Sequence, residues 1–357
     1  MERKSIGAAS LAQVHKAKLN DGTTVAVKVQ HRRVKSNSFV DCTTMEALVR
    51  TVALLFPEFK LMWLVEETKK NLPLELDFVN EGQNADRVRR MFVHLPFLKV
   101  PEIKWEYSTD RVLTMEFCEG GQVNDLDYID RHSISPSEVC RKLGQLYSEM
   151  IFVQGCVHCD PHPGNVLVNK SHSKGLQIVL LDHGLYTILD EDFRLNYSKL
   201  WLSLMNADLI GIREAGKHLN VGEDLYALLA CMVCSRSWNS IVSGIDKQSL
   251  TTSENEEIKS YVGSYLVEIS EVLNRVPRPM LLIFKTNDLL RSIEYSLKVQ
   301  RNAYSFLQMS KCCVTAVHDY SYNRCDSLYG KITQIFSTYV SMTKLLCYEW
   351  FLNLSNY

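Results

Sequence analysis

Polar and apolar residues alternate from Ser10 to Ala17, Asn20-Asp21-Gly22 follows as a turn, and residues 23–30 resume with β-branched alternation. This pattern predicts a hairpin over residues 5–30, because successive strand side chains point to opposite faces and Asp-Gly tolerates turn angles. Apolar positions then recur at helical spacing over 41–55 and again over 62–92, where Pro73 is expected to interrupt the helix. Two strands are predicted at 103–107 and 111–117, joined by Ser108-Thr109-Asp110, before Gly120-Gly121 breaks the pattern. From about Pro136 helical spacing dominates, over 137–154, 190–206, 222–236, 255–273 and 287–298, with one strand-like apolar run at 176–181. No internal repeat or low-complexity segment interrupts this order.

The helix-rich part contains a compact polar motif, His158-Cys159-Asp160-Pro161-His162-Pro163-Gly164-Asn165. After the apolar run comes Asp182-His183-Gly184. An H-x-D-x-x-x-x-N loop followed by Asp-x-Gly is the arrangement with which kinases handle an attacking group and bind Mg²⁺ through an amide oxygen and a carboxylate. Asp160 is thus the candidate catalytic carboxylate, and Asn165 and Asp182 are the candidate metal ligands.

That motif requires a phosphate-covering loop, a lysine and a glutamate upstream. Val25-Ala26-Val27-Lys28 matches the strand whose lysine pairs with phosphates. Gly7-Ala8-Ala9-Ser10-Leu11-Ala12-Gln13-Val14 fits G-x-G-x-x-G-x-V with Ala9 and Ala12 in place of glycines. Alanine tolerates positive φ poorly and adds a methyl group where backbone approaches phosphate, so a stiffer loop is expected. Glu75 and Glu81 are the candidate partners of Lys28, and the residues alone do not decide between them. A helix start near Asp190 leaves little room for an activation segment, so phosphoryl transfer to a non-protein acceptor is favoured over protein phosphorylation.

These elements together predict an α+β fold with the two lobes of a protein kinase. A small β-rich N-lobe with an incomplete first strand and a helical insertion spans 1–120. A mostly α-helical C-lobe spans 121–310, and a helical tail spans 311–357. The tail has few charges and reads either as a helix packed on its own domain or as an amphipathic segment on a membrane surface.

With 357 residues, the chain can bury a sizeable core, and 46% hydrophobic with 23% charged residues is ordinary globular composition. A net charge of −1 argues against nucleic-acid binding, which needs a basic face. The basic run 28–35 reads as the solvated end of a strand. No apolar stretch reaches membrane-span length, and residues 1–20 lack the pattern of a signal or transit peptide. Eleven cysteines, odd in number and irregularly spaced, are expected to be reduced. The C-x-x-C pairs Cys156/Cys159 and Cys231/Cys234 could make a thiolate zinc site, but Cys231 and Cys234 fall in an apolar helical run that favours plain burial.

The Ala-substituted loop, Glu75-Leu76-Asp77, the His158–Asn165 motif and Asp182-His183-Gly184 together resemble the UbiB or aarF-domain family of atypical kinases over nearly the whole chain. Trp63-Leu64-Val65, Asn71-Leu72-Pro73-Leu74-Glu75-Leu76-Asp77-Phe78 and Gly121-Gln122-Val123-Asn124-Asp125 are similar to its animal members. The resemblance implies ATP and Mg²⁺ as cofactors, Lys28 paired with Glu75, Asp160 as catalytic aspartate, and Asn165 and Asp182 on the metal. It also implies nucleotide contacts from Gly7, Ala8, Ala9, Ser10, Val14, Ala26, Lys28, Glu116 and Phe117. A mitochondrial setting, a role in lipid, coenzyme Q or inner-membrane homeostasis, and a peripheral membrane contact are further expectations. A K-x-G-Q segment usually precedes the first lobe, whereas only Met1 to Ser5 stand before the loop here, so the sequence reads as N-terminally short. A scaffold with little or no activity is the alternative function, and an aminoglycoside-phosphotransferase-like kinase is a third; the Ala-rich loop and Glu75-Leu76-Asp77 disfavour the third.

Overall fold

A computed structural model describes residues 2, 4–8, 11–171, 175–243, 265–299 and 303–355. The chain forms two compact units, Met1–Ser135 with His158–Tyr186, and Pro136–Val157 with Thr187–Tyr357. The segment carrying Asp160, Asn165 and Asp182 therefore belongs to the unit that contains Lys28.

The first unit opens with β1 (Gly7–Ala8), β2 (Ala12–Lys18) and β3 (Thr24–Gln30), which with β5 (Val112–Glu116) form an antiparallel sheet ordered β1-β2-β3-β5. Register places Val14 opposite Lys28, and Leu113 opposite Lys28 on the other side. Because side chains alternate, Val14, Ala26, Lys28, Leu113 and Met115 share one sheet face. The turn expected at Asn20-Asp21-Gly22 is present, with Asp21 accepting from the Thr23 amide at 2.8 Å and Gly22 at φ 88°.

Between β3 and β5 lie α1 (Val34–Leu55), α2 (Met62–Glu75), α3 (Phe78–Met91) and the short strand β4 (Leu98–Lys99). The expected break at Pro73 is displaced. Helix α2 runs through Pro73 and ends at Glu75, and α3 begins anew with Asp77 as its cap, accepting from the Val79 amide at 3.0 Å. Proline this close to the end removes one hydrogen bond from a turn that is about to finish. The strand expected at 103–107 does not form either. Ile103 makes a single bridge to Met115, and Trp105–Tyr107 is a 3₁₀ turn that sends the indole Nε1–H to Asp86 at 2.9 Å.

A second sheet of this unit orders β4-β9-β8-β6, built from β6 (Gly121–Gln122), β8 (Val166–Ser171) and β9 (Gly175–Leu180), with β4 parallel to β9. Helix α4 (Leu126–Arg131) follows β6, capped by Asp125. Val25, Phe78, Val88, Leu113, Val168, Ile178 and Leu180 are fully buried.

The second unit is helical. Helix α5 (Pro136–Ser148) widens into a π turn over Glu149–Gln154, which ends at Gly155. Gly155 has φ +64°, and a Cβ there would lie 2.9 Å from the Leu189 carbonyl oxygen and from Arg194, so both conformation and space require glycine. After β7 (Cys156–His158) and β10 (Tyr186–Ile188), the chain continues with α6 (Glu191–Met205), α7 (Leu209–His218), α8 (Tyr226–Cys234) and α9 (Trp238–Ser243). Asp190 caps α6, accepting from the Phe193 amide at 2.7 Å. Next come α10 (Leu266–Arg275), α11 (Arg278–Ser296), α12 (Ala303–Asn323) and α13 (Leu328–Ser355). Much of the helix expected at 255–273 lies outside the described residues, whereas α7 had no counterpart in the sequence pattern. Helix α12 packs on α5 and α6, and α13 packs on α12. Leu146, Tyr147, Tyr197, Leu200 and Leu204 fill the core. Cys231 and Cys234 lie on α8, and Cys234 is buried. Among the described residues no helix is long and apolar enough to cross a membrane.

Candidate active site

Lys28 projects from the middle of β3 into a ring of opposite charge. Its ammonium donates to both carboxylate oxygens of Glu81, at 2.7 and 2.9 Å, and to Asp182 Oδ2 at 2.7 Å. The Phe78 ring centroid lies 5.2 Å from the same nitrogen. The glutamate that pairs with Lys28 is therefore Glu81, which corrects the assignment of Glu75. Glu81 stands in the first turn of α3 and is 1% exposed, pointing with Phe78, Ala85 and Val88 into the interior. Glu75 ends α2, before the Asp77 cap, and lies about 4 Å from the space a Cβ would fill at Gly184. Gly82 admits this placement of α3, since a Cβ there would meet the Trp105 ring at 2.7 Å. The Lys28 side chain is 13% exposed, so the reading of the basic run as solvated fails at this residue.

Three charges this close reshape one another. Burial pushes the Glu81 carboxyl up, and the neighbouring Asp182 adds to that, bringing it to about 7 despite the opposing pull of Lys28. Burial also opposes the charge on Lys28 and on Asp182. The attraction of Glu81 and Asp182 nevertheless holds the ammonium well above its usual range, and Lys28 holds the Asp182 carboxyl well below its own. The aspartate is ionised and the lysine is protonated at neutral pH.

The Asp182-His183-Gly184 segment is fixed on several sides. Asp182 Oδ1 accepts from the Gly184 amide at 2.9 Å, and the Asp182 carbonyl lies 2.8 Å from His158 Nε2. The Asn84 side-chain amide donates to the His183 carbonyl at 3.0 Å in a buried position. His183 Nε2 lies 3.1 Å from the Leu180 carbonyl, so this nitrogen carries the proton and Nδ1 accepts from the Tyr186 hydroxyl at 2.9 Å. Burial and the adjacent His158 hold His183 down, at about 3, so the ring is neutral. Its ring lies parallel to Tyr186, the two planes 2° apart.

Asp160 and Asn165 lie together at the other end of the motif. The Asn165 side-chain amide nitrogen donates to the Asp160 carbonyl at 3.2 Å and to its carboxylate at 3.3 Å. The loop is braced by the Asn165 amide on the His162 carbonyl, by the Gly164 amide on the His162 ring, and by the Leu181 amide on the Asn165 carbonyl. The last of these ties the loop to the strand that delivers Asp182.

The remaining expected contacts divide by place. Val14 and Ala26 share the sheet face of Lys28, and Gly7 and Ala8 form β1, pairing with Val14 and Gln13. Ala9 and Ser10 lie outside the described residues. Phe117 follows β5, with the Lys16 ammonium 4.4 Å from its ring centroid. Glu116 points to the other sheet face, where its carboxylate pairs with Lys99 at 2.6 Å. Sequence reasoning missed Asn84, although Glu81 and Asn84 are three residues apart on one helix face.

Residues 1–216 match the ABC1 atypical kinase-like domain. The chain is 53% identical over 352 residues to AarF domain-containing protein kinase 1 of Gallus gallus, covering 98% of this chain and 68% of that protein. It is 49% identical over 360 residues to AarF domain-containing kinase 1 of Drosophila melanogaster, covering 100% of this chain and 69% of that protein. The chain thus spans about two thirds of the length of these relatives. Among solved structures, the erythromycin complex of Rv3197 from Mycobacterium tuberculosis shares the fold, with a TM-score of 0.52, 19% identity, and coverage of 85% of this chain and 77% of that one. The α+β, two-lobed kinase-like arrangement expected from the sequence is the fold of this chain.

Proposed function

The chain belongs to the ABC1 atypical kinase-like family, and on that premise we propose that it is an Mg·ATP-dependent phosphotransferase or ATPase with a non-protein acceptor. The observation that carries this reading is the Lys28–Glu81–Asp182 network standing in one compact unit with the Asp160–Asn165 pair. A charged lysine held by a buried glutamate is aimed rather than mobile, which suits it to lie against phosphate oxygens. Asp182 and Asn165 offer a carboxylate and an amide oxygen, the hard donors that Mg²⁺ prefers. When bound, the metal would offset charge on the phosphate oxygens.

Asp160 would orient an acceptor hydroxyl, or water, toward the γ-phosphorus. In the transfer, the bond from acceptor oxygen to phosphorus forms, the bond from phosphorus to the ADP oxygen breaks, and the acceptor proton passes to Asp160. Lys28 must exchange part of its contact with Asp182 for phosphate, while Glu81 keeps it in place. The short link from Gly184 to α6, through β10 and the Asp190 cap, supports a non-protein acceptor, because it leaves no segment on which a peptide could lie. The mitochondrial setting and the role in lipid, coenzyme Q or inner-membrane homeostasis belong to the same proposal and rest on the family.

Thermal melting with and without Mg·ATP, run beside an ADP-release assay, tests the reading. Wild-type protein is expected to be stabilised by Mg·ATP and to release ADP, and Asp182→Asn to lose both responses. Wild-type protein that shows neither would refute the enzyme and leave the scaffold.

A further inference from the structure

The helical unit contains a cavity of about 100 Å³ beside the π turn. Helix α5 and the π turn contribute Leu143, Tyr147, Ile151 and Phe152 to its wall, and α11 adds Leu290 and Ile293. A π turn is rare in any protein and is found mostly at functional sites.

Two polar side chains of this lining keep an oxygen without a partner. A helical serine commonly turns its hydroxyl back to the carbonyl four residues earlier, as Ser198 does at 2.7 Å and Ser296 at 2.8 Å. Ser148, at the end of α5 and only 3% exposed, does not, and its hydroxyl meets no hydrogen-bond partner among the described residues. On α11, the Asn287 side-chain nitrogen donates to the buried Tyr197 hydroxyl at 3.3 Å, while its Oδ1 has no partner among the described residues. An oxygen held away from bulk water costs free energy until a donor reaches it.

Water alone is a poor match for this space. A buried water keeps about two to four polar partners, and a cavity with room for several waters gives them here a mostly aliphatic and aromatic wall. A charged ligand fits no better. Arg291 is committed to Ser235 at 2.6 Å, to Asp288 at 2.8 Å and to the Val233 carbonyl, and Glu294 is not free either. A charge brought in would lack an open counter-charge. A flat neutral ring with one N–H or O–H on its edge meets both demands, because its faces pack on Tyr147 and Phe152 and its donor reaches Ser148 or Asn287.

We propose that this cavity is a binding site for a small neutral aromatic or heteroaromatic ring bearing a single hydrogen-bond donor. The inference goes beyond phosphoryl transfer and does not depend on it, since binding is measured without nucleotide.

Isothermal titration calorimetry of the full chain tests it, using indole and benzofuran, in which an oxygen replaces the N–H. Wild-type protein is expected to bind indole with a dissociation constant of about 0.1–1 mM. Benzofuran should bind about fivefold more weakly, the worth of one hydrogen bond. The double variant Ser148→Ala/Asn287→Leu should bind the two equally. Leu290→Trp, which fills the cavity from a half-buried position, should abolish indole binding while the melting temperature stays unchanged. Wild-type protein that takes up neither compound at millimolar concentration, or both with equal affinity, overturns the proposal. So does indole binding that survives Leu290→Trp, because the site would then lie elsewhere. Tighter binding of tryptamine, the cationic relative of indole, overturns the neutral ligand class.

Discussion

Glu81→Gln separates the charge of the lysine's partner from its shape. The glutamine retains the size of the buried side chain but withdraws the carboxylate that receives two hydrogen bonds from Lys28. Each charge-assisted bond is worth about 1.5–3 kcal/mol. Against that loss stands the cost of an ionised carboxylate in this place, where burial and the neighbouring Asp182 raise the carboxyl from 4.5 to about 7, about 3 kcal/mol even after the attraction of Lys28 is counted. The loss and the relief oppose each other, so the melting temperature should move by only a few degrees. Activity has no such compensation. Lys28 would be left with Asp182 as its charged partner in this network and drawn toward the aspartate proposed to hold the metal, so ADP release should fall by about 10²- to 10³-fold, as when one preorganised electrostatic group is removed. Glu75→Gln serves as the control and should leave turnover largely intact. Turnover preserved in Glu81→Gln and abolished in Glu75→Gln would refute the pairing on which the site is built. The same variant has a pH signature. The folded-state carboxyl holds its proton more tightly than the unfolded one, so its contribution to stability is complete below 4.5 and is lost as pH rises through about 7. Melting temperatures measured from pH 5 to 8 should fall more steeply for wild type than for Glu81→Gln. Parallel curves would count against the shift.

Asn84→Ala removes the donor to the buried His183 carbonyl and should cost about 1–3 kcal/mol of stability. It should lower kcat more than it raises KM, because it loosens the segment that carries Asp182; unchanged steady-state kinetics would make Asn84 a structural residue only. Burial holds the thiols of Cys140 and Cys312 up at about 12, those of Cys118 and Cys231 at about 11, and that of Cys313 well above its ordinary value. Iodoacetamide at pH 8 followed by peptide mass spectrometry should therefore modify exposed Cys347 well before any of these five, and equal rates would contradict the burial of these side chains.

The parts of the site that lie along one strand or one loop could be read from the chain. Val25 to Lys28 alternate as a strand must, and the five-residue offset from Asp160 to Asn165 is kept by a single turn, so sequence order and spatial order coincide there. The pairing of Lys28 crosses from a sheet to a helix, and no periodicity within either element contains it. A usable signal was nonetheless present. With Asp77 read as the cap, Phe78, Glu81, Ala85 and Val88 fall on one helical face at spacings of three, four and three residues, and Glu75 falls outside the helix altogether. Pro73 obscured this by suggesting a break four residues too early. The strand expected at 103–107 failed for a different reason. Ile103, Trp105 and Tyr107 alternate with polar residues as a strand would, but the Trp105 indole finds Asp86 and the open backbone at Gly82, and a tertiary contact displaced the local preference. That displacement has a functional consequence. The indole occupies the space a side chain at position 82 would need, which lets α3 lie close to β5 and sets Glu81 against Lys28. The residue that misled the strand assignment is one that helps to place the lysine's partner.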